Sequence, residues 1–194
     1  MTKIVLISGS VRRDSLNASV LATVRRLLNE RPDAGAYEVE TLSVGLLPHF
    51  DWDVEQEDGS LAVRAAKKLV GDADALFIST PSYNGEMPGV LKNALDWLSR
   101  PGGNSALTGQ TVALASASPG ARGAVDAQAA LAGVLERCGA RVVAHDPVAV
   151  RRAGQLRTAE GDFTDPEVVA ALSGLIDATL TALAAVRQPT GAGA

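Results

Sequence analysis

Strand-like and helix-like segments alternate along the whole chain, and this alternation restricts the possible folds more than any other feature. Residues 3–8 hold the apolar run Ile4-Val5-Leu6-Ile7, the signature of a strand buried on both faces. Leu16, Val20, Val24, Leu27 and Leu28 then recur at helical spacing until Pro32 closes that helix. Residues 37–42 alternate apolar with acidic side chains, as a strand with one partly solvated face does. A short amphipathic helix over 61–71 precedes a second buried strand, 75–80, which Pro81 ends. Pro88 suits the first turn of a helix reaching about residue 99, since its missing N–H has no partner there anyway. A strand over 111–116 leads to a helix over 123–138, stopped by Gly139. The last strand reads as 141–145. The last helix reads as 166–187, with Val169, Leu172, Leu175, Ile176, Leu180 and Leu183 on one side.

Strands and helices in strict alternation predict a five-stranded parallel sheet covered on both faces. Right-handed crossovers then make a doubly wound sandwich the economical topology. The chain has 194 residues, with neither an internal repeat nor a break in composition, so residues 1–187 read as a single domain and 188–194 as a flexible tail. Net charge is −4, from 18 basic and 22 acidic residues, and no basic run is present, which argues against a nucleic-acid partner. Cys138 is the only cysteine, so there is no internal disulfide and a reducing compartment fits. The N-terminus carries no signal-type segment, and no uninterrupted apolar run approaches the length of a membrane span. The expectation is a cytoplasmic protein without a membrane partner.

Ligands of doubly wound sheets bind beyond the carboxyl ends of the strands. Three loops qualify. The first, residues 9–17, follows a buried strand and opens a helix, so unpaired N–H groups and the positive helix end face outward. Ser10, Ser15 and Asn17 add polar side chains, and Arg12 adds a forked, permanent charge. The spacing is neither that of a Walker A loop nor the three-glycine dinucleotide fingerprint, and Glu40 lies too far along to be the usual ribose acid. A monophosphate fits better. Read as structure alone, the loop is a turn capped by Ser15.

The second loop runs from Pro81 through Ser82, Tyr83, Asn84 and Gly85 to Pro88, stiff enough for a flat polar heterocycle to lie on it. The alternative is an ordinary crossover in which Tyr83 packs and Asn84-Gly85 merely turns. The third loop, with Ser116, Ala117, Ser118 and Gly120, is made of small residues that permit close approach of a ligand, as any tight loop does.

Gly9-Ser10-x-Arg12-x-x-Ser15-x-Asn17 combined with Pro81-x-Tyr83-Asn84-Gly85-x-x-Pro88-Gly89-x-Leu91-Lys92-Asn93-Ala94-x-Asp96-Trp97 closely resembles the NAD(P)H-dependent FMN reductases. That group includes quinone, chromate and azo-dye reductases, and the resemblance covers roughly residues 3–180. It implies a flavodoxin-like three-layer sandwich of strand order 2-1-3-4-5. It also implies an FMN phosphate held by Ser10, Arg12, Ser15 and Asn17. The isoalloxazine ring would lie against Pro81, Ser82, Tyr83, Asn84 and Gly85, with Ser116, Ala117, Ser118 and Gly120 at its other edge. By the same resemblance NADPH or NADH delivers hydride to flavin N5. A small acceptor (quinone, chromate, azo compound or free flavin) then takes the electrons in a ping-pong cycle, with no catalytic side chain required. Homodimers or homotetramers are implied as well. Ser82 stands where many relatives carry an acid and Glu86 where a small polar residue is common; both positions bear on donor and acceptor choice. A flavodoxin-type carrier and a flavin-binding sensor without turnover are the competing readings.

His49 and His145 are the only histidines, and without a Cys/His cluster no metal site is expected. Cys138 reads as core and His49 as a loop or interface residue. The 43–60 loop, with Leu46, Leu47, Phe50 and Trp52, is more apolar than an exposed loop needs: it is either a subunit contact or a lid folded over its own core.

Overall fold

Strand β1 (Thr2–Ser8) occupies the middle of the sheet because both of its faces are apolar. Ile4 and Leu6 enter one core, Val5 and Ile7 the other, all of them buried. The computed structural model describes residues 1–57 and 59–187, so the predicted tail, 188–194, lies outside the described residues. Around β1 the strands β2 (Tyr37–Leu42), β3 (Ala75–Thr80), β4 (Thr111–Ala117) and β5 (Arg141–Val142) stand in the order β2-β1-β3-β4-β5, every pair parallel. That order is the flavodoxin-like one. Register aligns Ile4 with Val39 on one side and with Ala75 on the other. β2, at the edge, is mostly half-exposed or exposed, as its acidic alternation predicts.

Helices α1 (Leu16–Asn29) and α7 (Pro166–Arg187) cover one face, burying Val20, Val24, Leu28, Leu172, Leu175 and Ile176 with Ile4, Leu6 and Phe77. On the opposite face α3 (Leu61–Gly71), α4 (Gly89–Leu98) and α5 (Val125–Arg137) bury Val63, Val70, Leu91, Trp97, Leu131 and Leu135 with Val5, Ile7, Leu76 and Ile78. Two short helices, α2 (Trp52–Gln56) and α6 (Ala153–Leu156), lie in connections too brief to show a period.

Three details differ from the sequence reading. The fifth sheet position is shared: β5 pairs with Thr111 and Val112 of β4, and a further strand, β6 (Val148–Val150), pairs with Ala115 to Ala117. Strand 141–145 therefore stops early, at Val142, and the intervening residues bulge away before Pro147. Along α7 it is Val168 that is buried, while Val169 is half-buried. Finally, α7 has the length and mean hydropathy (1.8) of a helix able to cross a membrane, a property hidden from a search for unbroken apolar runs by Asp177 and the hydroxyl residues. In the fold, its Leu172, Leu175, Ile176 and Leu183 face the sheet, while Asp177 accepts from Arg31 at 2.7 Å.

The 43–60 segment packs on its own core in part and leaves other apolar side chains exposed. Val44 and Leu47 are buried, Phe50 meets Trp97 edge-on at 4.9 Å, and the Pro48 carbonyl accepts from Trp97 Nε1 at 2.9 Å and Asn93 Nδ2 at 2.8 Å. Leu46 and Trp52 stay 73% and 52% exposed, with the Arg100 guanidinium 5.0 Å above the Trp52 ring.

Candidate functional site

All three loops leave the carboxyl ends of β1, β3 and β4, and the parallel registers bring those ends side by side. The winding direction reverses between β1 and β3, so the first two loops flank the switch point. The Gly9 amide donates to the Ser79 carbonyl at 2.8 Å, which holds the start of the first loop against the end of β3.

Beyond Gly9 the first loop turns outward. Ser8 Oγ donates to the Ser10 carbonyl at 3.1 Å, and Ser10 Oγ accepts from the Arg12 amide at 3.4 Å. Ser15 caps α1, its Oγ accepting from the Ala18 amide at 3.2 Å. Among the described residues, the amides of residues 13–17 donate to no acceptor, and the exposed Arg12 side chain forms neither a hydrogen bond nor a salt bridge. Free N–H groups at a helix start and a free guanidinium in the same loop are groups with the chemistry to receive an anion.

Asn17 does something else. Its side chain, 3% exposed, accepts at Oδ1 from the Ala117 amide and from Ser79 Oγ, both at 2.9 Å, and donates from Nδ2 to the Ala117 carbonyl at 3.1 Å. One amide thus bolts α1 to the ends of β3 and β4. It fixes the starts of the three loops relative to one another.

The second loop is a tight hairpin. Tyr83 and Glu86 exchange two backbone hydrogen bonds, of 2.8 and 3.1 Å, around Asn84 (φ 57°) and Gly85 (φ 90°). Positive φ at both central residues is the geometry for which Asn-Gly is preferred. The turn does not bury Tyr83, which stays 55% exposed. Ser82 Oγ donates to Asp126 Oδ2 on the first turn of α5 at 3.2 Å, tying this loop to the helix that follows the third.

The third loop is less open than its composition predicts. Ser116 is 0% exposed, its Oγ donating to the Gly123 carbonyl at 2.7 Å and accepting from Gln128 Nε2 at 2.8 Å. Ala117 is buried too, with its amide and carbonyl on Asn17. These two are therefore interior, and of the predicted set in this loop only Ser118 and Gly120 keep accessible surface. The fold adds partners that sequence reasoning missed. Buried Gln128 also donates to the Val148 carbonyl at 3.0 Å. The Arg152 and Ala153 amides donate to the carbonyls of Gly120 and Ser118, both at 3.0 Å. A glutamine on an otherwise apolar helix side was the available signal for the first; nothing local announced the second.

No cluster of His, Cys, Asp or Glu able to hold a metal ion occurs among the described residues. The Cys138 thiol is half-buried, and burial pushes its pKa up, away from nucleophilic use.

Comparison with known proteins places this geometry in context. The family model described as NADPH-dependent FMN reductase matches residues 2–155, which include all three loops. A 2-hydroxy-1,4-benzoquinone reductase of a Burkholderia species is 41% identical over 132 residues, covering 68% of this chain and 69% of the relative. A quinone reductase of Escherichia coli K12 is 36% identical over 135 residues, 69% of each chain. Among solved structures, the flavoenzyme NAD(P)H:(acceptor) oxidoreductase FerB of Paracoccus denitrificans superposes with a TM-score of 0.83 at 32% identity, over 95% of this chain and 98% of that one. The chain belongs to the NADPH-dependent FMN reductase family.

Proposed function

We propose that this protein binds FMN in the crevice and catalyses transfer of reducing equivalents from NAD(P)H to a small acceptor of the quinone class. The observation that carries this reading is the run of unpartnered amides over residues 13–17 beside the unpaired Arg12. The donor set fits a phosphate monoester in its chemistry: several N–H groups, the Ser10 hydroxyl and one forked cation belong to a single loop at a positive helix end. When bound, the flavin supplies hydride acceptance and two-electron delivery; the protein supplies position and electrostatics.

The residues divide that work. Arg12, Ser10 and the first turn of α1 grip the phosphate, with Ser15 shaping the turn and Asn17 bracing it. Pro81 to Gly85 offer a stiff edge whose backbone groups can meet a heterocycle, and Tyr83 stands at the open side. Ser118 and Gly120 close the opposite edge. No side-chain acid or base is assigned. Donor and acceptor use the same open face in turn, so initial velocities plotted against either substrate give parallel lines; intersecting lines overturn that ordering. The quinone class is taken from the names of the relatives. The exposed Leu46 and Trp52 are the proposed contact between copies of the chain, and elution as a clean monomer in gel filtration removes that assignment. Use of NAD(P)H and a lone, unpaired cysteine fit a cytoplasmic setting.

The test is a visible spectrum of the freshly purified protein, identification of the released chromophore, and NADPH oxidation with a quinone and no partner protein. A colourless preparation that takes up no added FMN at micromolar concentration ends the proposal. Flavin binding without turnover favours the sensor reading.

A further inference from the structure

The first loop carries one acid, and that acid has the means to block it. Asp14 is the only carboxylate in residues 9–17. Among the described residues, the Leu16 and Asn17 amides just beyond it donate to no acceptor. Aspartate side chains readily accept from amides two or three positions on, as they do in helix caps and local turns. A carboxylate folded back on those N–H groups occupies the donors that an incoming phosphate needs. Here it does not fold back: the exposed Asp14 side chain accepts no hydrogen bond from the described residues.

Arg157 draws it the other way. This residue, directly after α6, brings Nη1 to 3.7 Å from Asp14 Oδ1. At that separation the two form an ion pair without a hydrogen bond. Between side chains 32% and 63% exposed, such a pair adds little to global stability. The guanidinium is held in place on its other sides. Nε donates to Ser19 Oγ on α1 at 3.0 Å, and Ser19, 2% exposed, donates in turn to the Ser15 carbonyl at 3.4 Å. Gly161, at φ 91°, passes so close that a Cβ on it would stand 3.3 Å from Nη2. The turn over 158–162 is closed by the Thr158 amide on the Asp162 carbonyl at 2.9 Å and the Gly161 amide on the Thr158 carbonyl at 3.2 Å. Nη1 is thus the nitrogen presented to the first loop. Arg12 and Arg13, the cations within that loop, form no salt bridge among the described residues.

We infer that Arg157 is a positioning residue for the phosphate site: it pulls the Asp14 carboxylate away from the start of α1 and so keeps the Leu16 and Asn17 amides open to the ligand. This rests on the flavin reading of the first loop for the identity of that ligand. Arg157 acts through Asp14 and touches no ligand itself.

The test is a double-mutant cycle over Arg157→Gln and Asp14→Ala, read by fluorescence titration of the full chain with FMN and with riboflavin, which lacks the phosphate. Arg157→Gln weakens FMN about tenfold and riboflavin less than about twofold. Asp14→Ala alone changes FMN affinity less than about threefold; added to Arg157→Gln, it restores FMN binding to within about threefold of wild type. Amide exchange gives a readout independent of flavin. In flavin-free Arg157→Gln the Leu16 and Asn17 amides exchange more slowly than in wild type, because the carboxylate now protects them, and Asp14→Ala removes that slowing. Simple additivity of the two substitutions overturns the inference, since Arg157 and Asp14 then act on the phosphate separately. So does a loss shared equally by FMN and riboflavin, or faster exchange at Leu16 and Asn17, either of which marks a loop that has come loose. A chain that binds neither flavin defeats the flavin reading instead, and the exchange comparison still decides what Arg157 does to Asp14.

Discussion

Arg12 and Asn17 lie five positions apart in one motif, yet burial gives them opposite duties. Arg12 is exposed and without a protein partner, so its energy is available to a ligand. Arg12→Ala removes charge-assisted hydrogen bonds of about 1.5–3 kcal/mol and weakens FMN binding roughly 10–100-fold, read by fluorescence titration with the fold intact. Full flavin retention in that variant refutes the phosphate assignment. Asn17 spends its amide on three internal bonds, so Asn17→Ala leaves polar atoms of Ser79 and Ala117 without those partners in a buried place. The expected cost is about 3 kcal/mol of global stability, measured by urea unfolding, with flavin affinity falling as a consequence.

At the scale of elements, the third loop takes its shape from β6 and α6 rather than from its own residues. Gly123 has φ 61°, and an added Cβ would press on the Ala149 backbone, which cannot swing aside as a side chain does. Gly123→Ala therefore combines left-handed strain with a backbone clash, about 1–3 kcal/mol together. The loop shifts off β6, and the variant shows faster amide exchange at Ser118 and Arg152, whose N–H groups span the junction. Unaltered exchange there disproves the bracing role. The hairpin of the second loop behaves differently, because its Asn84-Gly85 turn is closed by two local bonds and depends little on neighbours.

Across the whole molecule, α1 and the approach to α7 are joined by an ionic clasp. Arg26 donates to Asp162 Oδ2 at 2.7 Å and to the Phe163 carbonyl at 2.8 Å, while Thr158 Oγ1 donates to Asp162 Oδ1 at 2.5 Å. The Thr158 hydroxyl foremost, then Arg26, hold the Asp162 carboxyl below its ordinary range against the opposing effect of burial. A carboxyl lowered on folding contributes stability that is full above its unfolded pKa, about 3.9, and is lost as pH falls through the folded value. Urea midpoints measured from pH 6 down to pH 2.5 thus fall on acidification. Asp162→Asn lowers the midpoint at pH 6 and flattens that acid limb. An equally steep limb in the variant assigns the acid sensitivity to other groups.

Much of this was legible before folding. The apolar runs of β1 and β3 can be satisfied only inside a sheet covered on both faces, and alternation with amphipathic helices leaves little choice but a parallel one. The free donors of the first loop are local in sequence, and Asn84-Gly85 declared its turn through φ preferences that belong to the residues themselves. What sequence could not supply was contact between distant segments. Asn17 reaches Ala117, 100 residues away, and that pairing turns a supposed ligand contact into a bolt. Ser116 vanished into the interior because Gln128 and Gly123 satisfy its hydroxyl. The division of the fifth sheet position between β5 and β6 depends on how two short segments share the edge of β4. Local propensity fixes what a segment can become; only long-range packing and hydrogen-bond satisfaction decide which of its side chains remain free to meet a ligand.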